Sequence, residues 1–220
     1  MPVTGEERMP TTNDAVAQGI TWDLSDLYGA YDDPRIAADV ERLRVEASAF
    51  ADTYRGTVDV DGGPAAELLL AAVTALEELH ERSGRLQAYA GLLYSADTGR
   101  DEHRDLEQRT EQQLTEIQNL VLFFELEWSR VDDAAAQALL DDPQLATHRH
   151  YLEQVRKYRP HLLSEPEERI VNEKDLTGPS AWARLHTEIT SSLTFSVERD
   201  GTPRDHTLDE VLALFHHPDR

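Results

Sequence analysis

Three separate stretches of this chain carry mainly apolar residues at spacings of four and three, and that rhythm constrains the fold more than any other feature. The first stripe is Ile36, Val40, Leu43, Ala47, Phe50 and Tyr54. The second is Ala72, Leu76, Leu79, Ser83, Leu86, Ala90 and Leu93, and the third is Leu106, Thr110, Gln113, Ile117, Leu120, Phe124 and Trp128. Residues so spaced lie along one side of an α-helix. A helix with one apolar stripe must bury it against another element. Short connections between such helices make neighbours antiparallel. The same spacing suits an intermolecular coiled coil, but tight loops between short stripes favour packing within one molecule. The expected fold is therefore mainly α: an antiparallel bundle of long amphipathic helices.

Local signals place the ends of the elements. Asp33-Pro34 supplies a capping oxygen and a proline for the first helical position, and Gly56 closes that helix. The polar stretch Asp59 to Gly63 reads as a turn. Pro64 opens a second helix reaching about Ser95, and Gly99 precedes a third that Asp101 caps and that runs through Trp128. Asp132 to Leu140 and Pro143 to Tyr158 read as two shorter helices, with Pro160 as an interruption. Ser164 with Glu167 forms a capping box, Gly178-Pro179 breaks the helix it starts, and Ser180 to Ser191 resumes. Leu193, Phe195 and Val197 then alternate with Thr194, Ser196 and Glu198 before Asp200-Gly201 and Thr202 to Thr207. This is a small β-hairpin near the C-terminus. Thr207 caps a last helix from Leu208 to Phe215. Residues 1–20 are polar and aperiodic and read as a disordered tail. Trp22, Leu24, Leu27 and Tyr28 read as a strap whose aromatics pack on the first helices.

Charge narrows the partners. The 220 residues hold 43 acidic against 21 basic side chains, a net charge of −22. Such a chain repels phosphate backbones and anionic lipid surfaces, so nucleic acid and membrane are not expected partners. There is no cysteine, which excludes disulfides, thiolate metal sites and cysteine nucleophiles. The first residues include Glu6, Glu7 and Arg8 with no apolar run, and the longest apolar run, Leu68 to Val73, is far too short for a membrane span. A cytoplasmic location is the expectation.

Chemistry is sparse. His148 and His150 stand two residues apart, and on a helix they diverge too far to ligate one ion. His216 and His217 are adjacent and point apart. The histidines read as scattered surface or half-buried residues. Adjacent carboxylates such as Glu77-Glu78, Asp132-Asp133, Asp141-Asp142 and Glu167-Glu168 belong to solvated faces and helix N-termini. No glycine-rich phosphate loop and no nucleophile elbow occurs.

One segment is distinctive. It reads Tyr158-Arg159-Pro160-His161-Leu162-Leu163-Ser164-Glu165-Pro166-Glu167-Glu168-Arg169-Ile170, then Asn172-Glu173-Lys174, Leu176-Thr177-Gly178 and Ser180-Ala181-Trp182. With Trp22-Asp23-Leu24-Ser25-Asp26-Leu27-Tyr28, it resembles the N-terminal region of the zinc metallopeptidase family that contains oligoendopeptidase F and the thimet-type oligopeptidases. The resemblance implies an enzyme that hydrolyses internal peptide bonds of short peptides, with oligopeptide as substrate. It also implies an H-E-x-x-H helix whose histidines bind zinc and whose glutamate activates water. The one His-Glu pair, His80-Glu81, has Gly84 where the second histidine would stand. No residue of this chain inherits a catalytic or metal-binding role, and zinc is expected in a C-terminal catalytic domain that the chain lacks. The chain alone is expected to be inactive.

Within the distinctive segment, Arg159, Glu165, Glu168, Arg169 and Lys174, with Asn172 and Glu173, form either a polar lattice joining two helices or part of a substrate-channel wall. The division expected is 1–20 tail, 21–192 helical domain, and 193–220 hairpin and helix leading into the catalytic domain. A domain taken from a larger enzyme exposes an apolar face, and the wide stripe Leu106 to Trp128 is the expected place. The competing reading is a non-enzymatic helical interaction module derived from such a peptidase.

Overall fold

The computed structural model describes residues 22–199 and 202–215. The expected tail, the Asp200-Gly201 turn and His216-His217 lie outside the described residues. The elements run α1 (Pro34–Tyr54), α2 (Ala66–Ala96), α3 (Asp101–Val121), α4 (Phe123–Arg130), α5 (Asp133–Leu140), α6 (Arg149–Lys157), α7 (Glu165–Thr177) and α8 (Pro179–Ser192). Strands β1 (Thr194–Arg199) and β2 (Thr202–Thr207) and helix α9 (Leu208–Leu214) follow. Single 3-10 turns occupy Pro143–Leu145 and Arg159–His161. The fold is mainly α with one antiparallel hairpin, in which Thr194 pairs with Thr207 and Val197 with Arg204.

Helices α1, α2 and α3 pack on one another along the three stripes. Ile36, Val40, Leu43, Ala47 and Phe50 of α1 are buried, as are Ala72, Leu76, Leu79, Leu86 and Ala90 of α2. Leu106, Thr110 and Ile117 of α3 join them. Helix α4 is covered all round: Phe123, Phe124, Leu126, Glu127, Trp128 and Ser129 are all buried. Trp128 is fully enclosed, and its indole N–H donates to the Leu152 carbonyl at 2.9 Å. Arg156 lies over the same ring and donates to the Trp128 carbonyl, tying α6 to α4.

The α1–α2 connection is held from outside itself. The buried Glu127 carboxylate accepts the Gly56 N–H at 2.8 Å and the Val58 N–H at 3.3 Å. Gly63 has φ +80°, and a Cβ there would meet the Ala135 Cβ at 3.3 Å. The turn therefore needs glycine both for its backbone angle and for the close approach of α5.

Four expectations need correction. The helix expected from Asp101 through Trp128 is divided at Leu122, which keeps helical dihedrals (φ −51°, ψ −36°), so the interruption is local. The helix expected from Pro143 to Tyr158 starts only at Arg149. The Asp142 carboxylate caps a tight turn by accepting the Gln144 N–H at 2.8 Å, and that turn drops Leu145 into the core. In the strap, Tyr28 is buried edge-on against Tyr89 and donates to Asp39 at 3.0 Å, and Leu24 and Leu27 pack on the core. Trp22 stands outside it, 63 % exposed, because it precedes the turn at Leu24 to Tyr28 that carries the strap inward. Finally, the stripe from Leu106 to Trp128 is covered by the bundle itself. Most of the exposed large apolar side chains lie instead in the later elements, among them Ile170, Val171, Trp182, Leu185 and Ile189.

Candidate functional site

After α6 the chain leaves the bundle through the Arg159–His161 turn and returns as an arm of two helices, α7 and α8. Helix α7 begins on the capping box: Glu167 accepts the Ser164 backbone N–H at 2.9 Å and the Ser164 hydroxyl at 2.6 Å. These bonds hold the Glu167 carboxyl below the usual carboxylate range, with the Ser164 hydroxyl as the main cause. Helix α7 ends at Gly178, whose N–H donates to the Lys174 carbonyl at 2.8 Å, and Pro179 starts α8 at once. A Cβ at residue 178 would lie 2.9 Å from that carbonyl oxygen, so the α7–α8 corner is closed to larger residues.

The arm lies against α3 and leaves a cleft of about 760 Å³ between them. Gln108, Glu111 and Asn119 face it from α3, and Glu173, Ala181 and Arg184 from the arm. At one end the Asn172 amide donates to the Asn119 side-chain oxygen at 2.9 Å. At the other, the Arg184 guanidinium donates to Glu107 at 3.0 Å and to Glu111 at 3.1 Å. Burial raises the Glu107 carboxyl above its ordinary range, and Arg184 opposes that shift. Tyr94 is buried, and its hydroxyl has no hydrogen-bond partner among the described residues. Burial, followed by the charges of Glu188 and Glu107, pushes its ionisation up.

The residues expected to form a lattice do not bond to one another; they reach separate elements. Arg159 pairs with Asp133 of α5 at 2.9 Å, and Glu165 accepts from Arg55 at 2.8 and 2.9 Å. Glu168 accepts the Leu163 N–H at 2.8 Å within its own helix start. Arg169 and Lys174 are exposed and make no ion pair among the described residues. The reason is geometric: residues on successive turns of one helix point along it, and their polar partners come from the neighbours that α7 faces. Arg184, Glu107 and Glu111 were not singled out by sequence. The only local trace is the i, i+4 spacing of the two glutamates, which an acidic chain repeats often. Among the described residues His80, His150, His161 and His186 are exposed, but His103 is buried in the first turn of α3, beside the Tyr31 ring. Among the described residues no group of three His, Asp or Glu side chains converges to hold a metal ion. Nor is any helix among them long and apolar enough to cross a membrane.

A long-helix bundle with a two-helix arm and a terminal hairpin is the class of fold that these elements define. It is shared with a solved structure: the crystal structure of oligoendopeptidase-F from Enterococcus faecium superposes with a TM-score of 0.68 at 21% identity, covering 85% of this chain and 37% of that one. The family model described as Oligopeptidase F, an N-terminal model of peptidase family M3, matches residues 127–195, from the end of α4 to the start of the hairpin. Oligopeptidase PepF of Bacillus subtilis (strain 168) is 26% identical over 167 residues, which are 76% of this chain and 24% of that protein. The chain thus resembles the N-terminal region of the oligoendopeptidase F family. It spans about a quarter of the length of the curated relative that it matches.

Proposed function

We propose that this chain is the helical N-terminal part of a longer zinc metallo-oligoendopeptidase, where it forms one wall of the channel that admits short peptides. The observation that carries this reading is the match over residues 127–195, which covers the whole arm and so one of the two walls of the cleft. In this reading residues 21–192 are the helical domain, and 193–220 lead into a catalytic domain that binds the zinc. The zinc supplies the activated water there, and this chain's residues supply position. Oligopeptide and that catalytic domain are the partners, nucleic acid and membrane are not, and the protein acts in the cytoplasm. Arg159, Glu165 and Glu168 brace the arm. The exposed Arg169 and Lys174 are left to meet peptide or the neighbouring domain.

The test compares this 220-residue chain with the protein read through to its full length, on quenched-fluorescence peptides with and without a chelator. Chelator-sensitive cleavage is expected only from the longer protein. Cleavage by the 220-residue chain, or stoichiometric zinc held through dialysis, would overturn the division of labour. In the longer enzyme, Lys174→Ala is expected to raise KM modestly and leave kcat in place, because loss of uniform binding does not touch the chemical step. A loss of several orders of magnitude in kcat would place catalytic machinery in α7.

One observation favours the second reading, a non-enzymatic helical module. The core from Tyr28 to Val155 is closed by the chain's own residues. A longer reading frame without peptidase activity would select it.

A further inference from the structure

Among the described residues the hydrophobic core takes in nothing beyond Val155, and no residue of α7 or α8 is buried. The arm nevertheless lies against α3, and the hydrogen bonds and ion pairs that hold it there are few. Arg55 meets Glu165 at 2.8 Å, an exposed pair that contributes little in water. Asn172 meets Asn119 at 2.9 Å. Arg184 meets Glu107 and Glu111 at 3.0 and 3.1 Å, and these side chains are far better shielded, at 13 % exposed for Arg184 and 26 % and 25 % for its partners.

The charges around this last tie are unbalanced. Glu107 and Glu111 stand one turn apart on α3, and Glu188 stands one turn beyond Arg184 on α8. Arg104 is the nearby cation on α3, and it pairs with Asp101 at 2.8 Å. Without Arg184 two shielded carboxylates would face each other beneath α8 with no cation between them. Like charges at this spacing repel, and an unpaired shielded charge is costly. Apolar burial cannot compensate, because the arm contributes almost none. The burial that raises the Glu107 carboxyl has the same origin.

We propose that Arg184 is an electrostatic latch: this one side chain, set between Glu107 and Glu111, holds the α7–α8 arm against α3, and its release lets the arm swing from the bundle about the Arg159–His161 turn. The bundle stays folded in the released state, because its core does not include the arm. Arg184 and Glu111 are also walls of the cleft, so the latch sets the cleft's width. The tight Gly178 corner makes α7 and α8 move together. This inference rests on the geometry of the chain and not on the peptidase reading.

The test is amide hydrogen exchange, read by mass spectrometry on this chain. Arg184→Met is expected to speed exchange across residues 165–192 by about tenfold or more, with residues 34–157 changed by less than about twofold. No acceleration in the arm, or an equal acceleration in arm and bundle, would overturn the latch. A triple variant, Arg184→Met with Glu107→Gln and Glu111→Gln, separates charge from packing. It is expected to bring arm protection back to within about threefold of the parent chain, because the repulsion is gone. If the arm stays as open as in Arg184→Met, the long side chain holds the arm by packing, and the electrostatic latch is wrong.

Discussion

The bundle and the arm are built from the same local signals and reach opposite ends. In the bundle, Asp33 caps α1 by accepting the Arg35 N–H at 2.9 Å, and Asp132 caps α5 by accepting the Ala134 N–H at 2.9 Å. In the arm and beyond, Ser164 and Thr207 each complete a capping box, the more elaborate device. Yet α1 to α6 bury a continuous core, and no residue of α7 to α9 joins it. Caps decide where a helix starts; they say nothing about what covers it. Trp182, Leu185 and Ile189 lie at i, i+3 and i+7 of one helix, which is a stripe as regular as those of α1 to α3, and it faces solvent. The arm is patterned for a neighbour, and the bundle is its own neighbour.

The widest separation of the two regions is expected from an aromatic deletion in the bundle core. Trp128→Ala removes a fully enclosed indole and its hydrogen bond to the Leu152 carbonyl, and it should cost about 3–5 kcal/mol in urea unfolding. A cost below about 1 kcal/mol would mean that the bundle core is not the cooperative unit.

Glu127→Ala strips the Gly56 and Val58 N–H groups of their acceptor inside the bundle. The expected loss is about 2 kcal/mol. Faster exchange should appear first at 56–63. If the loop stays protected, water reaches those N–H groups and the carboxylate is dispensable.

Tyr28→Phe sharpens the comparison through pH. Burial, with the hydrogen bond to Asp39 second, pushes the Tyr28 phenol up to about 12. A phenol raised in the folded state contributes stability that is present below its unfolded pKa and is lost as pH rises from there through about 12. Tyr28→Phe should cost about 1 kcal/mol at neutral pH and flatten that alkaline loss. An unchanged alkaline slope would assign it to other groups.

Ser164→Ala should cost about 1 kcal/mol, confined to the first turns of α7. Faster exchange at 165–168 without a change in the bundle's urea midpoint is the expected pattern. The Glu167 partner gives this a pH sign. Its lowered carboxyl stabilises above the unfolded carboxylate pKa, and that stability is lost as pH falls through the folded value. A shift of the global midpoint would show that arm and bundle unfold together.

The smallest effect belongs to Trp182→Ser. At 71 % exposed, this residue should change stability by less than about 0.5 kcal/mol while lowering the binding of an apolar dye. Dye binding unaffected by Trp182→Ser would locate the apolar face elsewhere.

The sequence by itself determined what depends on neighbours three and four residues away. The stripes of α1, α2 and α3, the Ser164–Glu167 capping box, the Thr207 cap and the Gly178-Pro179 corner are all of that kind. The distinctive segment from Tyr158 to Trp182 was legible as well, and the family match covers it. Tertiary structure alone decided the rest. Glu127 holds Gly56 across 71 positions, and Arg184 finds Glu107 across 77. In a chain with 43 acidic residues, no local signal marks which glutamates will be buried or which arginine will reach them. The same reason sent Trp22 into solvent and covered the Leu106 to Trp128 stripe. Burial is a property of how helices meet, and a helix carries its own hydrogen bonds but not its own environment.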